Sequence, residues 1–347
     1  MTTLTDSPGR GASTPPPAPT TPAGRPGLSL YRVVHLVQVW LLPALLVVEF
    51  VAFSLLSPFF LTPQNLTNVA VNAADLALIA AGLTLVILMG GIDVSTGFAV
   101  GMLSWVVASL MAAGQPPIVV FLAALAGGAV VGLLNGMLTA RLAIPSIVAT
   151  LGTSALFQTG LFALWNSRDI FSTPVFPFLS GGARLGELPV LVLIVLAVYL
   201  VLHLVLTQTT FGRSIYAIGS NVEAAKLSGI NVRRVRVIGS VILGLLIGIA
   251  ACTYLARVGV VQASSGGELT MLAIASVVVG GTSILGGEGS VLRTLGGVVF
   301  IVVLDNGIVL AGVPSLWNGL IVGFVILVAV SINGLAVIIN ARKKRSL

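Results

Sequence analysis

Asp93, Ser95, Asn135, Asp305 and Asn306 are the side chains best suited to handle a polar solute in this chain. Each is a carboxylate, hydroxyl or amide set within or beside an apolar run. Such groups hydrogen-bond a hydroxyl-bearing molecule; they do not by themselves break its bonds. Catalysis has little material here. The two histidines, His35 and His203, and the one cysteine, Cys252, form no Ser/His/Asp, Cys/His or paired-carboxylate arrangement. No cluster has metal-ligand spacing, and no cofactor is expected. Cys252 reads as a small packing residue. Glu49, Asp75 and Asp305 fall inside apolar runs, where a charge costs roughly 3 kcal/mol or more. Each needs a cavity, a partner or an interface, and Asp305 beside Asn306 is the deepest candidate for a cavity.

A second group of polar residues interrupts the chain between Thr207 and Val235. Ser220 and Glu223 have the S-x-x-E spacing of a capping box, in which each side chain satisfies a backbone donor at a helix start. Asn221 lies inside that box. Glu223, Ala224, Ala225 and Lys226 are helix formers, and Gly229 suits the stop. Arg213, Arg233, Arg234 and Arg236 flank the segment. About two helical turns do not persist alone in water. The helix either rests on the protein's own loops or docks a partner.

Two glycine-rich stretches add to this. In Gly90–Ser95 (GGIDVS) the paired glycines permit a sharp reversal and Asp93 can cap the next helix. The alternative is a break that lines a transport path, where half-helix ends face a polar solute. Gly280–Ser290 holds five glycines in eleven residues, but none of the three lysines follows a glycine. The phosphate-binding pattern G-x-x-x-x-G-K-[ST] is therefore absent, and a tight turn or close helix packing is the better reading.

The elements that carry these residues are membrane helices. The chain is 57% hydrophobic and 8% charged, too few charges to clothe a soluble surface. Ten apolar segments are expected near 33–56, 66–89, 94–113, 117–139, 146–165, 189–206, 236–256, 268–284, 291–311 and 315–338, giving an all-α integral membrane protein. The third and eighth read as short or broken. With a cytoplasmic N-terminus, Arg10, Arg25, Arg32, Arg141, Arg213, Lys226, Arg233, Arg234, Arg236, Arg293, Arg342, Lys343, Lys344 and Arg345 fall inside; Arg168, Arg184 and Arg257 fall outside. That bias places both termini and the 207–235 loop in the cytoplasm. It also accounts for the net charge of +7 without nucleic acid. Residues 1–32 form a Pro/Thr-rich tail expected to be disordered, 33–338 the transmembrane domain and 339–347 a basic tail. A faint repeat pairs GGIDVS, Asn135-Gly136 and Ile144-Pro145-Ser146 with GGELT (Gly266–Thr270), Asn306-Gly307 and Val313-Pro314-Ser315. The copies lie five spans apart, as two inverted five-helix halves would.

Four motifs taken in order resemble the permease subunits of bacterial ABC importers for monosaccharides. This is the ribose, xylose, arabinose and autoinducer-2 class, related to branched-chain amino acid permeases. The motifs are GGIDVSTG at 90–97, GLLNGMLTARLAIPSIVATLGT at 132–153, TTFGRSIYAIGSNVEAAKLSGINVRRV at 209–235 and VVVGGTSILGGEGSVLRTLGG at 277–297. The chain departs from the common pattern at Thr96-Gly97-Phe98, where relatives often place V-G-S. The resemblance implies alternating access in a multi-pass protein of the bacterial inner membrane. It implies partners: ABC ATPase subunits, an extracytoplasmic sugar-binding protein, and a second permease copy or paralogue making a dimer within membrane lipid. ATP hydrolysis then belongs to another chain. Arg213, Ser220, Asn221, Glu223, Ala224, Ala225, Lys226 and Gly229 match the segment that couples to the ATPase. A ribose-like, rhamnose-like or autoinducer-2-like solute is implied. The rival is an ion-coupled secondary transporter or channel relying on groups such as Asp75 and Asp305.

Overall fold

The computed structural model describes residues 27–331, apart from 167–168, 172–175, 177, 187, 315–316, 318, 325–326 and 329–330; for residues 27–39 it describes the backbone alone. The N-terminal tail through residue 26 and the basic tail at 339–347 lie outside the described residues, as do Arg168 and much of the segment expected at 315–338.

The molecule is built of helices around one central helix. In chain order these are α1 (Gly27–Leu56), α2 (Pro63–Asn72), α3 (Ala74–Leu88), α4 (Thr96–Ala112), α5 (Pro117–Ala140), α6 (Ser146–Trp165), α7 (Val190–Gln208), α8 (Thr210–Ser220), α9 (Val222–Leu227), α10 (Val232–Val258), α11 (Leu269–Val279) and α12 (Val291–Leu310). Every residue of α3 is buried, as a helix apolar all round must be. Helices α7, α10, α11 and α12 pack around it. Cross-helix hydrogen bonds fix the arrangement. The Tyr199 hydroxyl of α7 donates to the Ala77 carbonyl at 3.0 Å. Thr84 meets Thr294 of α12 at 2.9 Å, and Ser104 of α4 donates to Ala251 of α10 at 3.1 Å.

Among the described residues five helices, α5, α6, α7, α10 and α12, are long and apolar enough to cross a membrane; α2 and α3, bent by 43° at their junction, make a sixth when counted as one span. Large exposed side chains such as Leu122, Leu156 and Leu200 form the belt a bilayer would cover. The segments expected to be short are short: α4 has 17 residues and α11 only 11. At 1.5 Å per residue, α11 covers about half of a bilayer's hydrocarbon core.

Helices α5 and α10 cross in close contact. Gly128, Gly132 and Gly136 recur every four residues and face Ser240, Gly244 and Gly248. A Cβ on Gly132 would strike the Ser240 carbonyl, and one on Gly244 the Gly128 carbonyl. Small residues let the two backbones touch, which is how helices gain contact in lipid, where no hydrophobic effect draws them together.

Two short antiparallel pairs join the loops. Ile170–Phe171 pairs with Val260–Val261, and Arg184–Leu185 with Leu188–Pro189.

Candidate functional site

One end of the bundle carries the 207–235 segment as three pieces rather than one helix. Gly212 allows the turn from α7 into α8, since a Cβ there would strike the Val205 and Leu206 carbonyls. Thr209 caps α8 by accepting from Gly212 N at 3.1 Å. The capping box expected from Ser220 and Glu223 does not form. Ser220 is the last residue of α8, and its hydroxyl donates to the Tyr216 carbonyl at 2.9 Å. The cap of α9 is Asn221, whose side chain accepts from Ala224 N at 3.0 Å. The S-x-x-E spacing therefore coincides with a helix end, and the neighbouring amide does the capping. Glu223 instead pairs with Lys226 at 2.8 Å, on side chains 77% and 53% exposed, an ion pair worth little. Gly229 stops α9 as expected. Its φ is +81°, and Ile230 N donates to the Ala225 carbonyl at 3.1 Å, closing a left-handed C-terminal cap. Ala225 is buried and faces the core; Arg213, Ser220, Glu223 and Ala224 are exposed.

The glycine-rich loop 281–289 is part of the same platform, a role its spacing alone does not indicate. Gly287 N donates to the Leu88 carbonyl at the end of α3, at 2.9 Å. A Cβ on Gly219 would strike both Leu88 O and Gly287 N. The Tyr216 hydroxyl donates to Gly289 O at 3.1 Å, and partial burial raises that phenol above its ordinary value, so it stays a neutral donor. From this welded surface project two apolar side chains that no sequence motif marks, Leu227 (90% exposed) and Leu285 (81% exposed). Leu227 follows Lys226 directly and Leu285 lies within the glycine-rich stretch, yet their exposure is visible only in the fold.

Beside α9 lies a cavity of about 540 Å³ whose walls include Gly91, Asp93, Asn135, Thr150, Lys226, Arg233 and Arg236. Asp93 Oδ1 accepts from Ser95 N at 2.9 Å and from Ser95 Oγ at 2.6 Å. Asn135 Nδ2 donates to Asp93 Oδ2 at 2.9 Å and to Ser95 Oγ at 2.8 Å. Asp93 does not cap α4, whose N-cap is Ser95 with no side-chain cap hydrogen bond; it holds the turn before that helix and lines the cavity.

At the other end of α3 a second cavity, of about 790 Å³, takes in Asp305, as expected, together with Gln158, Phe162, Phe98, Tyr254, Gln262 and Glu268. Of these, only Asp305 stands out in the sequence as a candidate. Gln158 and Phe162 stand four apart on α6, a spacing that places them on one helix face. Asn306 does not join this cavity's walls. Its amide exchanges two hydrogen bonds with Asn65, at 2.9 and 3.0 Å, and ties α12 to α2.

Between the cavities two helix starts meet. Gly97 N donates to Thr270 Oγ1 at 2.7 Å, and Thr270 Oγ1 donates to the Val94 carbonyl at 3.3 Å. A Cβ on Gly97 would strike the Gly266 carbonyl, and one on Gly266 the Gly97 carbonyl. The short stretch from Asp93 to Phe98 thus runs from one cavity's wall to the other's. The two motifs of the faint repeat are joined at this point.

Asp75 is 1% exposed and pairs with Arg257 at 2.7 Å; the arginine side chain is 26% exposed and lies 5.8 Å from the Tyr254 ring centroid. The pair fills the need for a partner that the sequence raises. Removing one member of a buried pair costs about 3–5 kcal/mol. Arg257→Gln leaves a buried carboxylate without its counter-charge, whereas Asp75→Asn leaves an arginine that is partly exposed. Thermal unfolding in detergent should rank Arg257→Gln as the less stable variant, with Asp75→Asn/Arg257→Gln recovering part of the loss. Equal stability of the two single variants would contradict this ranking.

Residues 65–330 match the family described as the branched-chain amino acid transport system permease component. The autoinducer 2 import system permease protein LsrC of Escherichia coli (strain K12 / DH10B) is 35% identical over 295 residues, covering 83% of this chain and 84% of its own. The ribose import permease protein RbsC of Bacillus subtilis (strain 168) is 36% identical over 281 residues, covering 80% and 87%.

Proposed function

The chain belongs to the branched-chain amino acid transport system permease family, and on that premise we propose that it is the membrane-spanning subunit of an ATP-driven importer for a monosaccharide, ribose-like or autoinducer-2-like. The observation that carries the reading is the pair of cavities separated by the Gly97–Thr270 junction, with a rigid docking platform at one end. A permease that works by alternating access needs a solute site, a barrier that can open on either side, and a surface on which a motor can push. The 790 Å³ cavity combines aromatic faces with amides and carboxylates, a lining suited to sugar hydroxyls and ring faces. Asp93 and Asn135 would meet the solute beyond the barrier, with the buried Ser95 holding both in place.

Positive charge supports a cytoplasmic platform and cytoplasmic termini. The inverted repeat of two five-helix halves finds support in the packing. Helix α4 packs on α5 and α10, as α11 packs on α12 and α3. The starts of α4 and α11 meet, and α11 then runs to the platform, while α5, returning from α4, brings Ala140 to the α9-side cavity.

The partners would be two ATPase subunits, a secreted sugar-binding protein and a second permease. Arg213, Ser220, Asn221, Glu223, Ala224, Ala225, Lys226 and Gly229 would lie at or support the ATPase contact. The ion-coupled alternative loses one of its two carboxylates, because Asp75 is neutralised by Arg257. Reconstitution with the ATPase and the binding protein tests the proposal. Uptake should require ATP and survive collapse of the proton and sodium gradients. Uptake driven by an ion gradient with no ATPase present would sink it.

A further inference from the structure

The cavity beside α9 differs in chemistry from floor to rim. On the floor Asp93 and Asn135 are 4% and 2% exposed, and Asn135 Oδ1 has no hydrogen-bond partner. On the rim stand Arg233, which is exposed, and Arg236, which is half-buried. Among the described residues neither arginine has a carboxylate within ion-pair distance. Lys226, paired with Glu223, adds a third cation from α9. A volume near 540 Å³ lies in the range of small-molecule sites, roughly 300–1,000 Å³.

A transported sugar is uncharged and gains only ordinary hydrogen bonds from these arginines. A phosphate gains a great deal, because the planar guanidinium matches its oxygens in pairs. The Asp93 carboxylate repels an anion from the floor but accepts from hydroxyls. These opposed preferences orient a ligand that has an anionic end and a hydroxyl-bearing end. We propose that this cavity binds a phosphorylated sugar from the cytoplasm, with its phosphate on Arg233 and Arg236 and its hydroxyls toward Asp93 and Asn135. Resting on the importer reading above, it names a second ligand: a phosphorylated product acting back on the permease. The arginines belong to α10 and Lys226 to α9, so a phosphate between them bridges the two helices. A bridged α9 cannot follow the motor, and ATP hydrolysis slows.

A phospholipid headgroup offers the same phosphate, and the test separates the two sources. The permease–ATPase complex is placed in nanodiscs of phosphatidylcholine alone or with phosphatidylglycerol, and titrated with ribose 5-phosphate, ribose or inorganic phosphate. Calorimetry on the full-length permease alone gives binding independently of transport, so failure of this proposal is distinguishable from failure of the importer reading. Ribose 5-phosphate should bind, and should slow ATP hydrolysis in both lipid mixtures, while ribose at equal concentration does not. Arg233→Gln/Arg236→Gln should raise the half-inhibiting concentration about 10-fold or more, as loss of charge-assisted contacts does. Arg233→Lys/Arg236→Lys keeps the charge but loses the paired contacts, so its half-inhibiting concentration should fall between those of the wild type and the glutamine variant, and it serves if the first variant fails to fold. Equal potency of ribose, inhibition indifferent to both arginine variants, or binding abolished by phosphatidylglycerol would each overturn the proposal, the last by assigning the arginines to lipid.

Discussion

Leu227→Asp is expected to abolish solute uptake while the permease still folds and reaches the membrane. Leu227 is 90% exposed, so the folded chain loses almost no contact when it is replaced. A single exposed leucine is ordinary. This one ends a six-residue helix capped by Asn221 at its start and by Gly229 at its stop, and that helix rests on the core through Ala225. A helix too short to stand alone is held in place here, and it presents an apolar tip to the outside. Burying a leucine in a partner's pocket contributes about 1.5–3 kcal/mol, and forcing an unpaired carboxylate into the same pocket costs more. Together these weaken docking by about 100-fold or more. ATPase recovered with the tagged permease and ATP-driven uptake in vesicles should both collapse, with membrane levels of the variant unchanged. Full uptake by Leu227→Asp would take α9 out of the coupling path.

Much of this arrangement is legible in the sequence, and the misses have physical causes. Apolar runs locate the helices because lipid demands them. The shortness of α4 and α11 is readable from glycines around 90–97 and 266–267. Asp93 and Asp305 are conspicuous because a carboxylate stands out in an apolar run. Ser220 is misplaced by its spacing because three neighbouring polar residues, Ser220, Asn221 and Glu223, all suit a helix start, and only the backbone decides among them. Asn221 is extended, with φ −162° and ψ 108°, and so becomes the cap. The second cavity's Gln158, Gln262 and Glu268 escape notice in the sequence because they come from separate segments and converge only in three dimensions. The union of loop 281–289 with α8 is hidden for the same reason. A glycine signals close approach, but not what approaches it.

Gly97→Val is expected to reduce uptake to background, for a reason that differs from the loss at Leu227. The change lies at the junction of α4 and α11, where no partner is needed to feel it. A Cβ on Gly97 would meet the Gly266 carbonyl, and would lie 2.6 Å from Thr270 Oγ1 and 3.0 Å from Thr270 N. Both nearest elements are helix starts with little freedom to retreat, because Gly101 is equally close to Ser265. The valine must part α4 from α11, breaking the 2.7 Å bond from Gly97 N to Thr270 Oγ1. Overpacking of this kind costs about 1–3 kcal/mol, and stranding the buried amide adds about 1–3 kcal/mol. Thr270→Val separates the two contributions. It keeps the volume and removes the hydroxyl, so the helices stay close while the bonds from Gly97 N and to the Val94 carbonyl are both lost. If the junction is the barrier between the cavities, Thr270→Val should fold and should leak solute through vesicles without ATP, whereas Gly97→Val should lose stability and transport together. A tight, fully active Thr270→Val permease would show that helix packing alone closes the path. The hydrogen bond between Gly97 and Thr270 would then be structural, and the moving barrier would have to lie nearer Asp93 and Asn135.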